Sequence, residues 1–482
     1  MKRMVGLSII TAASVLALCF LILLLFWEKN LEAPGDGWAA EASRISSGAE
    51  AGVGSAGIAE ADIGEDGIAE DESAASSGLP EEPERLEGNE EPGENEEPAE
   101  YDVVLMALGD NLLHEGIVNT GRRADGSYDY SFLFEGVADF LALADIKAIN
   151  QETIFGGNHL GFPGYPRFNS PTQVGDAIAA AGFNVVLHAT NHAADQGIEG
   201  IYHCAGYWEE HPEVLMAGIS GKEERERIQL LEIKGITFAI LNYTYSPNTS
   251  TLSSELMGHL NMLCAYNENT GVINFTALNP QVAADIKEAE RMADVVVVFP
   301  HWGTEYRTEP SGYQRIFAEE MTQAGADLII GTHPHVPQPV EWVVSENGNK
   351  ALCYFSLGNY ASLQKNPQCM LEGMAWVTFH VDGDGVSLSE EKTGVLPLVC
   401  HYKRGSMHLE RIYLLEEYTE ELAYRHGIQD YEGCWRLRLP ELQRWSREIF
   451  GGWTFTREEL EKGSGRTAAG REQAGDGGVR AM

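Results

Sequence analysis

The sequence predicts an α/β fold, and three observations carry that expectation. Short apolar runs at Val103–Leu108, Ile146–Ile149, Val185–Leu187, Val295–Phe299 and Leu328–Ile330 are separated mostly by helix-length segments, the pattern of buried parallel strands. Each run closes on polar residues able to bind a metal: Asp110 and His114, then Glu152, then Asn191 and His192, then His301, then His333 and His335. Beyond His335 the pattern changes to strands in succession. The first two observations place the polar residues along one edge of one sheet, where open α/β sheets keep their chemistry. The third adds a second, more antiparallel sheet packed on the first, with helices outside.

Taken in order, the chain of 482 residues opens on a membrane-length segment. Lys2 and Arg3 precede Val5–Trp27, which is 23 residues without a charge and long enough to cross a bilayer as one helix. The A-x-A-like tripeptide Ala40-Glu41-Ala42 lies well past the apolar run, which argues against cleavage, and Leu18 before Cys19 argues against lipidation. Residues 1–30 therefore read as a single-pass signal anchor, held in the cell membrane through residues 5–27, with the domain after Glu28 extracellular. Cleavage near Ala40 or Ala42 is the alternative. Residues 31–100 hold 21 Asp and Glu against Arg44 and Arg85, almost half of the net charge of −40, and repeat Gly-Ile-Ala-Glu at 57–60 and 67–70. Rich in Gly, Ala, Ser and Pro, this segment cannot form a core and is expected to be a disordered, self-repelling acidic linker.

The folded domain is expected over residues 101–400. After the first strand, Phe132–Leu143 is amphipathic, Thr172–Ala181 is Ala-rich and ends at Gly182, and Ile198–His211 follows the third strand; all three read as helices. Leu230–Ile233 and Phe238–Tyr243 flank Lys234-Gly235 as a hairpin. Gln281–Met292 and Tyr313–Ala324 are the next helices, the latter closed by Gly325. Val340–Val344, Leu352–Ser356, Ala375–Val381 and Val395–Val399 are the late strands. Residues 401–462 read as a helical C-terminal extension, with helices at Arg411–Arg425 and Leu437–Phe450, and residues 463–482 as a disordered tail. The seven cysteines lack the tight pairs of a zinc ribbon and are too sparse for a stapled scaffold, so most are expected to be buried thiols. No Lys/Arg block beyond the first residues offers a footprint for nucleic acid, which is excluded as a partner.

Imidazole, carboxylate and amide donors together suit borderline divalent metals such as Mn, Fe or Zn, whereas an all-oxygen set points to Mg or Ca. His333 and His335, two residues apart around Pro334 and just past a strand, can address two neighbouring ions. Asn191 is an unusual ligand, so its place beside His192 is informative; a turn with Asn in left-handed geometry is the competing account. Five further residues are expected near a pocket. Arg167, in the loop Gly156–Pro171, either contacts an anion or is simply an exposed loop arginine, while Trp302, Glu305 and Tyr306 either line a groove or pack. Asn359, after Gly358, shapes a turn close to the site.

The segments Gly109-Asp110-Asn-Leu-Leu-His114, Asn150-Gln-Glu152-Thr153, Thr190-Asn191-His192-Ala-Ala-Asp195-Gln-Gly197, His301-Trp302-Gly303-Thr304-Glu305-Tyr306, Gly331-Thr-His333-Pro334-His335-Val336-Pro337-Gln338 and Ser356-Leu357-Gly358-Asn359-Tyr360 resemble the ordered motifs of the CapA family. These are capsule and poly-γ-glutamate biosynthesis proteins with a metallophosphatase-like (calcineurin-type phosphoesterase) fold. The resemblance implies a four-layer α/β/β/α sandwich and two divalent metal ions. Asp110 and His335 resemble ligands of the first metal, Asn191, His301 and His333 those of the second, and Glu152 the bridging carboxylate. His192 resembles the non-ligand histidine facing the leaving group, with Asp195 fixing its tautomer. Two departures stand out. A metallophosphatase has histidine two residues after its first Asp, where this chain has Leu112, and His114 is the candidate to reach in instead; Glu152 is one methylene longer than the usual Asp.

The function this implies is a membrane-anchored, extracellular component of capsule or poly-γ-glutamate production, partnered by other synthesis components and acting on a polyanionic polymer or a phosphoester. On this reading it is a metal-dependent phosphoesterase-like hydrolase. Two alternatives remain open on sequence: a non-catalytic surface scaffold with a degenerate metal site, which Leu112 keeps alive, and a general extracellular metallophosphodiesterase.

Overall fold

In the computed structural model, which describes residues 100–222, 226–431 and 437–463, strand β1 (Tyr101–Asn111) shows why its sequence is apolar at nearly every position. Val103, Leu105 and Ala107 point into a core between two sheets, and Met106 and Leu108 point the opposite way, under helices. Side chains alternate along a strand, so a strand covered on both sides has no polar face to spare. The same holds for β2 (Ile146–Asn150), β3 (Val185–Leu187) and β4 (Leu215–Ala217), which follow β1 in parallel order.

The parallel strands divide between two sheets. β5 (Gln229–Ile233) and β6 (Ile236–Thr244) form the expected hairpin around Lys234 and Gly235, both at positive φ, and this hairpin begins the second sheet. β7 (Cys264–Tyr266) and β8 (Ile273–Leu278) pair with each other. β9 (Val295–His301) and β10 (Leu328–Ile330) then run parallel to β6. The late strands serve both sheets. β11 (Val340–Val344) and β12 (Lys350–Tyr354) complete the second, in the order β11-β12-β10-β9-β6-β5. β13 (Asn359–Ala361), β14 (Leu371–Asp382), β15 (Gly385–Leu388), β16 (Gly394–Tyr402) and β17 (Leu409–Leu414) join the first, whose main path is β17-β16-β14-β1-β2-β3-β4.

This corrects two expectations. The metal-binding residues do not line one edge of one sheet: Asp110, Glu152 and Asn191 belong to the first sheet, and His301, His333 and His335 to the second. Nor is the second sheet the more antiparallel one, because the antiparallel strands β14, β16 and β17 extend the first. The sheets pack face to face through Leu105, Ala148 and Val185 on one side and Ile240, Val297 and Ile330 on the other. Burying each such aliphatic side chain stabilises the fold by about 1.5–3 kcal/mol.

Helices cover the outer faces. Gln173–Ala180 buries Val174 and Ile178, and Gly197–Glu209 buries Ile201, Cys204 and Trp208. On the second sheet, Pro280–Met292 buries Val282, Ile286 and Ala289, starting at the Asn279 cap with Pro280 in its first turn. Gly312–Ala324 starts at a Ser311/Gln314 capping box and stops at Gly325, whose φ of 118° no side chain adopts cheaply.

Two expected helices are otherwise. Phe132–Leu143 splits into a 3-10 turn, Ser131–Leu133, and a single helical turn, Ala138–Leu141; Gly136 between them lies so close to the Ile412 carbonyl that a Cβ would sit 2.0 Å from it. Within Arg411–Arg425, Ile412 and Leu414 are buried in β17, and the helix begins only at Glu420, after the Thr419 cap. Pairing with the edge of the first sheet overrides the helical pattern there. Cys204, Cys264, Cys353, Cys369 and Cys400 are free and buried, as expected. The anchor, the linker and the tail fall on residues 1–99 and 464–482, outside the described residues; among the described residues no helix is long and apolar enough to cross a membrane.

Candidate metal centre

The C-terminal ends of the parallel strands of both sheets meet, and the site lies there. β1 is delivered to it by Gly109: a Cβ there would lie 2.0 Å from the Gly358 carbonyl, the same oxygen that accepts the Asp110 amide at 3.0 Å. The β1–β2 register shifts between Leu108 and Asp110, a bulge that re-aims the strand end. On the second sheet, β9 ends on His301, and the chain after β10 holds His333 and His335 at φ values of 98° and 59°. Positive φ at two non-glycine residues costs of order 1–3 kcal/mol each, a strain that marks functional sites.

Asp110, Glu152, His301, His333 and His335 are all buried, and their ligand atoms form overlapping groups. Glu152, His301 and His333 make one, and Asp110, Glu152 and His335 another; in each, one donor atom per residue lies within 4.8 Å of the others. A third group joins Glu305 to His333 and His335. Glu152 belongs to two groups, with its Oε1 3.8 Å from both His301 Nε2 and His335 Nε2.

The surrounding hydrogen bonds orient these donors. His335 Nδ1 lies 3.0 Å from Asn359 Oδ1 and 3.2 Å from Asp110 Oδ2, both acceptors, so Nδ1 carries the proton and Nε2 is left for a ligand. Asn359 is itself fixed by its Nδ2, which donates to the His335 carbonyl and to Gln364 Oε1. Asp110 accepts from Asn150 Nδ2 at 2.8 Å and from the His333 amide at 3.2 Å. Asn191 donates to Asn248 Oδ1, which leaves its own Oδ1 3.0 Å from His301 Nε2, and the far nitrogen of His301 meets the Thr332 hydroxyl at 2.9 Å.

Four donor atoms have no hydrogen-bond partner: both oxygens of Glu152 and both nitrogens of His333. Leaving such groups unpaired in a buried site costs several kcal/mol. Burial, then the Asp110 charge, pushes the Glu152 carboxyl well above its ordinary range. Burial and the neighbouring histidines hold His301 and His333 well below theirs, so both present lone pairs. His335 differs: burial lowers it, but Glu152 and Asp110 more than offset that and hold it at about 10. Two carboxylates and three imidazoles packed together, with the Glu152 and His333 donor atoms left unpaired, are what a bound divalent cation would join, and the mixed N/O donors fit such an ion.

Beside this cluster, His192 Nδ1 lies 2.7 Å from Asp195 Oδ2; a carboxylate only accepts, so Nδ1 donates and the ring is fixed. The same oxygen accepts the Phe168 amide at 2.6 Å, and the Phe168 ring stands edge-on to His192 at 4.7 Å. Arg167, next to Phe168, is exposed.

Of the other pocket residues, Tyr306 is 44% exposed with its ring centroid 6.0 Å from that of His335, whereas Trp302 is not in a groove. Trp302 is 1% exposed, donates to the Phe355 carbonyl and stacks on that ring, so it packs the core. His114 does not replace the missing histidine. Its Nδ1 accepts the Leu363 amide at 3.3 Å, burial lowers it to about 4, and it joins none of the ligand groups; Leu112 is buried beside it. Sequence reasoning missed Asn150, Thr332, Asn248 and Phe168. The first two adjoin ligands within quoted motifs, but nothing local marks the last two, which arrive on separate loops.

Comparison with known proteins covers the stretch of chain that holds these residues. Residues 104–364 match the family described as "Bacterial capsule synthesis protein PGA_cap". The PGA biosynthesis protein CapA of Bacillus subtilis (strain 168) is 29% identical over 256 residues, 52% of this chain and 60% of that protein. The capsule biosynthesis protein CapA of Bacillus anthracis is 29% identical over 223 residues, 46% of this chain and 49% of that protein. The matches thus span about half to three-fifths of the relatives' own length. Among solved structures, the sulfate thiohydrolase SoxB of Thermus thermophilus aligns at TM-score 0.30 and 10% identity over 66% of this chain and 46% of that one, too distant a likeness to carry an argument.

Proposed function

The chain belongs to the bacterial capsule synthesis PGA_cap (CapA) family, and from that premise we propose that it is a membrane-anchored, extracellular component of capsule or poly-γ-glutamate production whose metallophosphatase-like centre hydrolyses a phosphoester. One observation carries the metal part of this reading: Glu152, fully buried with both oxygens unpartnered, reaches His301 and His335 at equal distance. Asp110, Glu152 and His335 would hold one divalent ion, and Asn191, His301, His333 and Glu152 a second. Such ions, Mn, Fe or Zn, supply Lewis acidity that neutralises a phosphate's charge and acidifies water.

The chain's own residues do the rest. Asn359 and Thr332 orient His335 and His301, and Asn248 turns the Asn191 amide so that its oxygen faces the centre. His192, oriented through Nδ1 by Asp195, presents Nε2 to pass a proton to a departing oxygen. Phe168 covers one edge of that ring. Arg167, exposed beside it, is the anion contact offered to the substrate. The test is turnover of a chromogenic phosphodiester by the metal-loaded chain. Asp195→Asn, which removes the carboxylate that fixes the His192 ring through Nδ1, is expected to lower turnover about 10²–10⁴-fold with metal content unchanged. Wild-type turnover in that variant would overturn the role of His192.

Leu112 favours a second reading. With no histidine there and His114 tied to the backbone, a scaffold that binds a single ion without turnover is the competitor. Absence of turnover by a metal-loaded wild-type chain would select it.

A further inference from the structure

We propose that Glu305 is a metal ligand of this centre, supplying the donor that Leu112 cannot. The inference rests on the metal-binding reading above and adds a residue to it. One Glu305 oxygen, one His333 nitrogen and one His335 nitrogen lie within 4.8 Å of one another. Each of those histidines also belongs to a different group built on Glu152. Glu305 therefore reaches one histidine from each half of the centre, a property it shares only with Glu152 among the carboxylates of these three groups.

The position is built rather than incidental. Glu305 lies in the turn that leaves β9, and that turn is stitched to the histidine loop at two points. The Trp302 amide donates to the Thr332 carbonyl at 3.0 Å, and the Tyr306 amide to the Pro334 carbonyl at 2.8 Å, so the backbone on either side of Glu305 is bonded to the residues flanking His333. Gly303, at φ 100°, permits this path: a Cβ there would meet Gln314 Oε1 at 2.6 Å. Tyr306 follows at φ 63°, a strained non-glycine residue in the same turn.

The donor count makes the need concrete. Without Glu305, the half built on Asp110, Glu152 and His335 offers three side chains, and His114 is committed to the Leu363 amide. Divalent ions of this kind take four or more donors. Glu305 is the carboxylate already in place.

The test is calorimetric titration of Mn2+ and Zn2+ into the chelator-stripped full-length chain, with thermal unfolding measured before and after metal. Glu305→Gln is expected to weaken binding at least about tenfold and to diminish the metal-induced rise in Tm, with a metal-free Tm close to that of wild type. Glu305→Asp keeps the charge but withdraws the oxygen by a methylene, and is expected to weaken binding as well. Glu309→Gln, an exposed carboxylate in the same loop, should bind as wild type does. Wild-type affinity in Glu305→Gln overturns the inference and leaves the metal centre standing. Wild-type affinity in Glu305→Asp alone also overturns it, since it would assign Glu305 a through-space role. A wild-type chain that binds neither ion removes the metal reading itself.

Discussion

Glu152 and Glu372 are both fully buried carboxylates without a hydrogen-bond partner, and their neighbours give them opposite meanings. Glu152 faces His301 and His335, donors that a cation would join to it. Glu372, on β14, lies on the apolar side of that strand with Met374 and Trp376, and burial, with Asp110 nearby, pushes its carboxyl well above the ordinary range. Its folded form holds a proton that the unfolded chain releases above about pH 4.5, so its penalty grows as pH rises through that value. Glu372→Met is therefore expected to raise Tm at pH 7, by a margin that shrinks as pH falls towards 4.5; a pH-independent difference, or a loss at pH 7, would refute the assignment. At this scale the sequence already marked Asp110, Glu152, Asn191, His301, His333 and His335, because each closes an apolar run. It could not rank Glu305 above Trp302, since both leave the same strand and only the fold turns one inward to the core and the other towards the histidines.

Among the elements, β1 shows how a strand end becomes part of a site. Gly109 lets the strand touch the Gly358 carbonyl, the bulge re-aims Asp110, and β13 then pairs with the strand at Asp110 and Asn111. Gly109→Ala forces backbone apart at a 2.0 Å contact and is expected to cost about 1–3 kcal/mol of stability, read by urea unfolding, and to weaken metal binding through Asp110. Unchanged stability would mean the contact yields easily. Elements were legible where the pattern was local, as in the Lys234-Gly235 hairpin and the capped helices. Pairing was not: the runs ending at Asp110 and His301 look alike in sequence, yet they enter different sheets, because strand partners are chosen by long-range packing. The same long-range choice turned Leu409–Leu414 into an edge strand.

Across the whole molecule, the buried histidines His188, His401 and His426, outside the metal centre, contribute to the response to acid. Burial holds His188 and His426 at about 3 and His401 at about 4, against about 6.5 when unfolded. Below pH 6.5 the unfolded chain takes up protons that the folded chain refuses, so stability is full above that pH and falls as pH drops towards 3–4. Each site contributes a slope of up to about 1.4 kcal/mol per pH unit in that window. Urea midpoints at pH 7, 6 and 5 should decline accordingly, and replacing His188 with a neutral residue of similar size should flatten the decline. The central claim concerns the junction of the two sheets, where Asp110, Glu152, Asn191, His301, His333 and His335 converge from five strand ends. Its most direct test is the metal content of the full-length chain by mass spectrometry after loading with Mn2+ or Zn2+ and desalting. The account predicts about two ions per chain in the wild type and at most one in Glu152→Ala; a wild type without bound ions, or a Glu152→Ala chain that retains the wild-type complement, would contradict it.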